Sequence, residues 1–193
     1  MTSIPHPELP PNLPVPVDDG ACDHLVGLAL PPVTLTGASG RSVDMAGLGG
    51  LVVMYLYPMS GKDDAGLPDH WDAIPGARGC TPQACAFRDH HRDLAAFGAS
   101  VFGLATQSPA YLAGEIARLH LPYDLLSDEN LAFQSALSLP LFEVKAAGRP
   151  VLRRVTLICR DARIIKVFYP VFPPHHSAAQ VLDWLATDRS HQP

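Results

Sequence analysis

Cys80 and Cys85, with four residues between them, are the side chains of this sequence most able to do covalent chemistry. They stand in the stretch Ile74-Pro-Gly-Ala-Arg-Gly-Cys-Thr-Pro-Gln-Ala-Cys-Ala-Phe-Arg-Asp89, a Gly/Pro-rich loop that runs into a helix with Cys80 in its first turn. The first N–H groups of a helix have no internal partner and carry partial positive charge. A cysteine there is biased toward thiolate, the nucleophilic form. Arg78 and Arg88 lie close in sequence and add to that bias. The spacing is neither a usual zinc pair nor the Cys-x-x-Cys of dithiol oxidoreductases. On an intact helix, positions five apart are roughly 8.6 Å from Cα to Cα. A disulfide needs less than about 7 Å, so the pair can close only if the first turn unwinds. Pro82 and the glycines before Cys80 make such a turn easier to open. The plainer alternative is two buried helix cysteines with no chemistry.

The rest of the chain must position this segment. Its 193 residues suit one domain with a full core, and 47% hydrophobic with 17% charged residues is a globular composition. A net charge of −5 argues against nucleic acid or an anionic membrane as partner. No apolar run is long enough for a membrane span, and Met-Thr-Ser-Ile-Pro-His-Pro at the start carries no secretory pattern. With four cysteines and no disulfide framework, a cytoplasmic location is expected.

Residues 1–20, with six prolines from Pro5 to Pro16, read as an extended arm, either a loose tail or a strap over the domain or a second subunit. Residues 21–193 form the domain. Leu28–Gly37 and Gly40–Met45 pair as a hairpin. Leu51–Tyr57 is a central strand covered on both faces, and 59–79 is a long loop. The cysteine helix runs to about Phe97, with Cys80, Ala84, Phe87, His91, Leu94 and Ala95 inward. Ser100–Ala105 is a second buried strand. Ser108 caps a helix to about Leu119 with Pro109 at its first position. Tyr123–Leu126, a helix over Glu129–Leu139, strands Leu152–Cys159 and Arg163–Phe168, and a helix capped by Ser177 complete an α/β fold with a mixed central sheet flanked by helices.

At this point a family resemblance enters. Gly79-Cys-Thr-Pro-Gln-Ala-Cys-Ala-Phe-Arg-Asp89 closely resembles the active-site segment of the peroxiredoxins, in particular the bacterioferritin-comigratory, or Q-type, branch. Tyr55-Leu-Tyr-Pro58, Pro122-Tyr-Asp-Leu-Leu-Ser-Asp128 and Arg154-Val-Thr-Leu-Ile158 resemble that branch elsewhere, over about residues 22–187. The resemblance implies a thioredoxin-like fold and thiol-dependent reduction of hydrogen peroxide or organic hydroperoxides. Cys80 would attack the peroxide and become a sulfenic acid. Cys85 would resolve it to an intramolecular disulfide, and Arg154 would approach Cys80 and polarise the peroxide. A thioredoxin-like or glutaredoxin-like protein would reduce the disulfide. No metal or bound cofactor is implied.

One departure stands out. The branch normally reads Pro-x-x-x-Thr-x-x-Cys, and counting from Pro58 the cysteine falls at 80 instead of 65, fifteen residues late. The Thr position, counted back from Cys80, holds Ala77. Ser60 or Thr81 is the candidate hydroxyl, and Ser60, Gly79 and Thr81 are the candidate substrate-binding residues. The insertion, with Asp69-His-Trp-Asp72, either shapes a pocket for a bulkier substrate or elaborates the surface. A metal site from Cys80, Cys85 and His90 is disfavoured by spacing. Cys22 reads as an incidental thiol and Cys159 as a buried small hydrophobe. The alternative function is a redox-responsive regulatory or binding protein that uses the same disulfide as a conformational switch. Monomer and homodimer both remain open.

Overall fold

A computed structural model describes residues 9–61, 67–142 and 148–189. The strands are β1 (Thr34–Gly37), β2 (Ser42–Asp44), β3 (Leu51–Leu56), β4 (Ala99–Ala105), β5 (Asp124–Ser127), β6 (Leu141–Phe142), β7 (Val151–Leu152), β8 (Val155–Arg160) and β9 (Arg163–Phe168). The helices are α1 (Cys80–Asp89), α2 (His91–Ala96), α3 (Pro109–Leu119), α4 (Ala132–Leu137) and α5 (Ser177–Arg189). Among the described residues the main sheet has the order β2-β1-β5-β4-β3-β8-β9, and β6 pairs with β7 apart from it. β3–β4 and β4–β5 are parallel, and β3–β8 and β8–β9 antiparallel. This is the mixed sheet expected.

The apolar run of β3 is explained by its two covered faces. Val53, Tyr55 and Tyr57 point into a core with Phe87, Leu112, Val181 and Leu185 from α1, α3 and α5. Val52, Met54 and Leu56 point the other way, toward Phe133 and Leu137 of α4 and Leu25 and Leu30 of the N-terminal segment. Cys22 and Cys159 are buried in this second layer as small hydrophobes.

Several elements are shorter than the sequence suggests. The cysteine helix breaks at His90, whose N–H reaches both Ala86 O and Arg88 O. The break falls where burial changes: α1 is enclosed on all sides from Pro82 to Phe87, whereas α2 buries only Leu94 and leaves Ala95 exposed. α4 begins late because the Asp128 carboxylate accepts from the N–H groups of Phe133 (3.0 Å) and Gln134 (2.8 Å), fixing the helix start behind it. The hairpin begins only at Thr34, after Pro31-Pro32. The residues before it run along the edge of β9 instead, through Gly27 N–H to Ile164 O and Leu30 N–H to Ala162 O.

Candidate active site

The peptide before α1 turns twice through left-handed glycines, Gly76 (φ 79°) and Gly79 (φ 105°). A side chain at Gly79 would also collide with Pro174, so glycine is required there on both counts. The turn places Cys80 as the first residue of α1, 6% exposed, at the helix end that carries partial positive charge.

Arg154, in the two-residue gap between β7 and β8, is brought to the same point. It is 2% exposed, and each of its three nitrogens meets at least one acceptor. Nε donates to Gly76 O (3.3 Å), Nη2 to Ala77 O (3.0 Å) and Arg78 O (3.3 Å), and Nη1 to Gln83 Oε1. Nη2 also lies 3.3 Å from Cys80 Sγ. Among the described residues no carboxylate pairs with this buried guanidinium. Its positive charge is therefore met only by carbonyl dipoles, an amide and sulfur, which leaves the sulfur as the one group there able to carry a compensating negative charge. The Cys80 thiol otherwise lies 3.7 Å from Ala77 O.

Gln83 is the functional neighbour that the sequence reading passed over. It is fully buried between the two cysteines and bridges Arg154 to Ser177 Oγ (3.2 Å), which meets Thr156 Oγ1 at 3.1 Å. The signal was present: a Gln one turn after Cys80 amid apolar helix positions must find partners. Ser177 thus does more than start α5.

Cys85, one turn and a half further along α1, is 2% exposed, and burial raises its thiol pKa against the pull of the Arg88 guanidinium. Both cysteines are free. Arg88 binds Asp89 (2.8 Å) and Leu119 O (3.0 Å), tying α1 to the end of α3. Tyr123 OH donates to Ala84 O (2.8 Å) and meets Tyr55 OH (3.1 Å), while the Tyr55 ring stacks on Phe87 at 4.6 Å. Aromatic packing clamps the second half of α1, and polar contacts hold its first turn.

The remaining sequence candidates separate. Ser60 is buried, and its N–H and hydroxyl go to Gln107 Oε1 (3.0 and 3.3 Å) while Tyr111 OH donates to its carbonyl (2.8 Å). Thr81 Oγ1 lies 3.5 Å from Arg118 Nη2, whose guanidinium pairs with buried Glu115. Among the described residues neither hydroxyl bonds to Cys80. Ala77, in the Thr position, packs in an apolar cluster with Trp71 and Val151. Residues 62–66 of the insertion lie outside the described residues. Its later part is a short 3-10 turn, Trp71–Ala73, with Asp72 paired to Arg78 at 3.3 Å. Ile74, Pro75 and Gly76 line a cleft of about 310 Å³ that reaches Arg154 and is walled by Phe142 and Tyr169. Among the described residues no group of three His, Cys, Asp or Glu side chains is placed to hold a metal.

A model of the redoxin family matches residues 25–182. The chloroplastic peroxiredoxin Q of Gentiana triflora is 33% identical over 160 residues, covering 82% of this chain and 65% of that protein. That of Sedum lineare is 36% identical over 105 residues, covering 54% and 48%. Among solved structures, the peroxidoxin BcpB of Mycobacterium tuberculosis aligns with a TM-score of 0.65 at 22% identity, over 88% of this chain and 100% of that one. The PrxQ of Xylella fastidiosa aligns at 0.68 and 18%, over 86% and 98%. The chain belongs to the redoxin family, with a thioredoxin-like fold. Within that family it is a peroxiredoxin of the Q type. It spans between about half and two thirds of the length of these curated relatives.

Proposed function

We propose that the protein is a thiol-dependent peroxidase that reduces hydrogen peroxide or organic hydroperoxides. The observation that carries this reading is Arg154 Nη2 at 3.3 Å from the sulfur of a cysteine at a helix N-terminus. The Cys80 thiolate attacks the terminal peroxide oxygen, the O–O bond breaks, and the leaving alkoxide or hydroxide takes a proton. Cys80 becomes a sulfenic acid while the peroxide is reduced by two electrons. Cys85 then displaces water from that sulfenic acid and forms the Cys80–Cys85 disulfide, which a thioredoxin-like or glutaredoxin-like dithiol reduces. Arg154 binds the peroxide oxygens and supports the charge that grows on the leaving one. Gly79 and Thr81 flank the reacting cysteine, whereas Ser60 is committed to Gln107 and Tyr111. The four free, buried thiols suit a reducing cytoplasm.

Peroxide consumption in a thioredoxin or glutaredoxin reducing system, beside Cys80→Ser and Cys85→Ser, tests the reading. Activity lost with Cys80→Ser and a disulfide seen by non-reducing mass spectrometry are expected. Cys80 oxidised no faster than a free thiol would overturn it. A disulfide that forms readily but is not turned over by either reductant would favour a redox switch instead.

A further inference from the structure

The arm is placed on the loop that must open. Leu9 Cδ2 lies 3.0 Å from the position a Cβ on Gly79 would take, and Pro16 Cγ lies 3.3 Å from that of Gly76. Three residues beyond Pro16, the Asp19 carboxylate accepts from Arg153 Nη1 and from Tyr169 OH (2.8 Å). Arg153 in turn donates to the Tyr169 hydroxyl (2.9 Å) and lies over the Phe142 ring at 5.6 Å. The arm is thus held at three points: two on the glycines that bracket Ala77 and Arg78, and one on the residue next to Arg154. The carbonyls of that bracketed loop are the ones that hold Arg154. Pro10, Pro11, Pro14 and Pro16 stiffen the span between the contacts and lower the entropy lost on docking it.

We propose that residues Leu9 to Asp19 are a strap that holds the loop and first turn of α1 in the reduced, peroxide-reactive form, and that the strap's release sets the rate at which Cys85 resolves Cys80. This rests on the proposed peroxidase cycle. Its driving observation is separate: the strap is seated on Gly76 and Gly79, which have to move if two cysteines five positions apart on a helix are to come within disulfide reach. Every contact the strap makes with the folded loop stabilises the state from which the disulfide cannot form. A longer-lived sulfenic acid is open to a second peroxide, which would take it to sulfinic acid. The Asp19 carboxyl is held at about 2 by the hydrogen bonds from Tyr169 and Arg153, so the latch stays ionised at every pH at which the cycle runs.

The test uses the full chain carrying Leu9→Ala, Pro16→Ala and Asp19→Asn together, and Asp19→Asn alone as a milder variant. Rapid mixing with hydrogen peroxide, acid quench, thiol alkylation and intact mass separate sulfenic acid, disulfide and sulfinic acid. The second-order oxidation of Cys80 should stay within about twofold of the parent, because the loop remains folded most of the time. The first-order rate of disulfide formation should rise about three- to tenfold in the triple variant and less in Asp19→Asn, in line with the loss of one exposed ion pair and two apolar contacts. The sulfinic fraction at a fixed peroxide excess should fall by a similar factor. Amide hydrogen exchange over residues 76–85 of the reduced proteins, read without any peroxide, should speed up to match. Oxidation of Cys80 with an unchanged or slower disulfide step overturns the strap and leaves the peroxidase reading intact. Cys80 that does not react in any of the proteins overturns the peroxidase reading and the strap's kinetic role with it. Unchanged exchange over 76–85 overturns the strap whatever the peroxide chemistry shows.

Discussion

At the scale of single residues, the site is a buried cation looking for an anion. Arg154 has the carbonyls of Gly76, Ala77 and Arg78, the Gln83 amide and the Cys80 sulfur as its surroundings, and no carboxylate among the described residues. Arg154→Met should slow Cys80 oxidation by about 10²-fold, the scale of losing one donor aimed at developing charge, and a competition assay for Cys80 oxidation measures it. Gln83→Leu removes one partner from each of Arg154 and Ser177. It should cost about 1–3 kcal/mol in a denaturant titration and slow the same oxidation step, since the guanidinium loses its lateral support. Cys85 has its own signature. Burial raises its thiol pKa above the ordinary value, and attack on the sulfenic acid needs thiolate. On the proposed cycle, once the strap is weakened by the triple substitution so that opening no longer sets the rate, the disulfide-forming rate should climb between pH 6.5 and 8.5, and a flat profile there would show that Cys85 ionisation does not limit the step. Cys80, Cys85 and Arg154 were all legible as candidates because each is carried by a local motif. Gln83 was harder to see, since its role is set by Arg154 and Ser177, 71 and 94 residues away in sequence.

At the scale of elements, α1 is held unevenly. Its second half is clamped by the Tyr55–Phe87 stack and by Tyr123 OH on Ala84 O. Phe87→Ala should lower global stability by about 3–5 kcal/mol, and Tyr123→Phe by about 1 kcal/mol, both read as shifts in a urea midpoint. Neither clamp reaches Gly79 or Cys80, so the first turn can open while Phe87 stays seated. The sheet was readable from β3 and β4 because their apolar runs are long and both faces of β3 are filled. Three features were not readable for three physical reasons. The break at His90 follows a change in what surrounds the helix, which periodicity alone does not record. The late start of α4 depends on Asp128 reaching past its own turn. The path of residues 27–30 depends on β9, more than 130 positions away, offering them an edge. The insertion's buried Trp71 belongs with these, because an indole in a Gly/Pro-rich segment carries no periodic signal that says which side will be covered.

At the scale of the whole molecule, buried ionisable groups set how the fold answers to pH. Burial pushes the thiols of Cys22 and Cys159 up to about 12 from an ordinary value of 9. The unfolded chain releases these protons from about pH 9, while the folded chain keeps them. Their contribution to stability is complete below pH 9 and is lost as pH rises from there toward 12, with a slope of up to about 1.4 kcal/mol per pH unit for each group. Urea midpoints taken from pH 7 to pH 10.5 should fall on the alkaline side, and Cys159→Val should flatten part of that fall. A midpoint independent of pH across this range would mean that the two thiols ionise as freely folded as unfolded. The insertion also gives the molecule an internal optical label. Trp71 is 2% exposed and packs against Ala77, three residues before Cys80. When the loop lifts, that indole passes from an apolar nest into water. On the proposed cycle its emission, read over the steady contribution of Trp184, should shift to the red and dim with the same time course as disulfide closure, so an untagged sample would report that step in a fluorimeter.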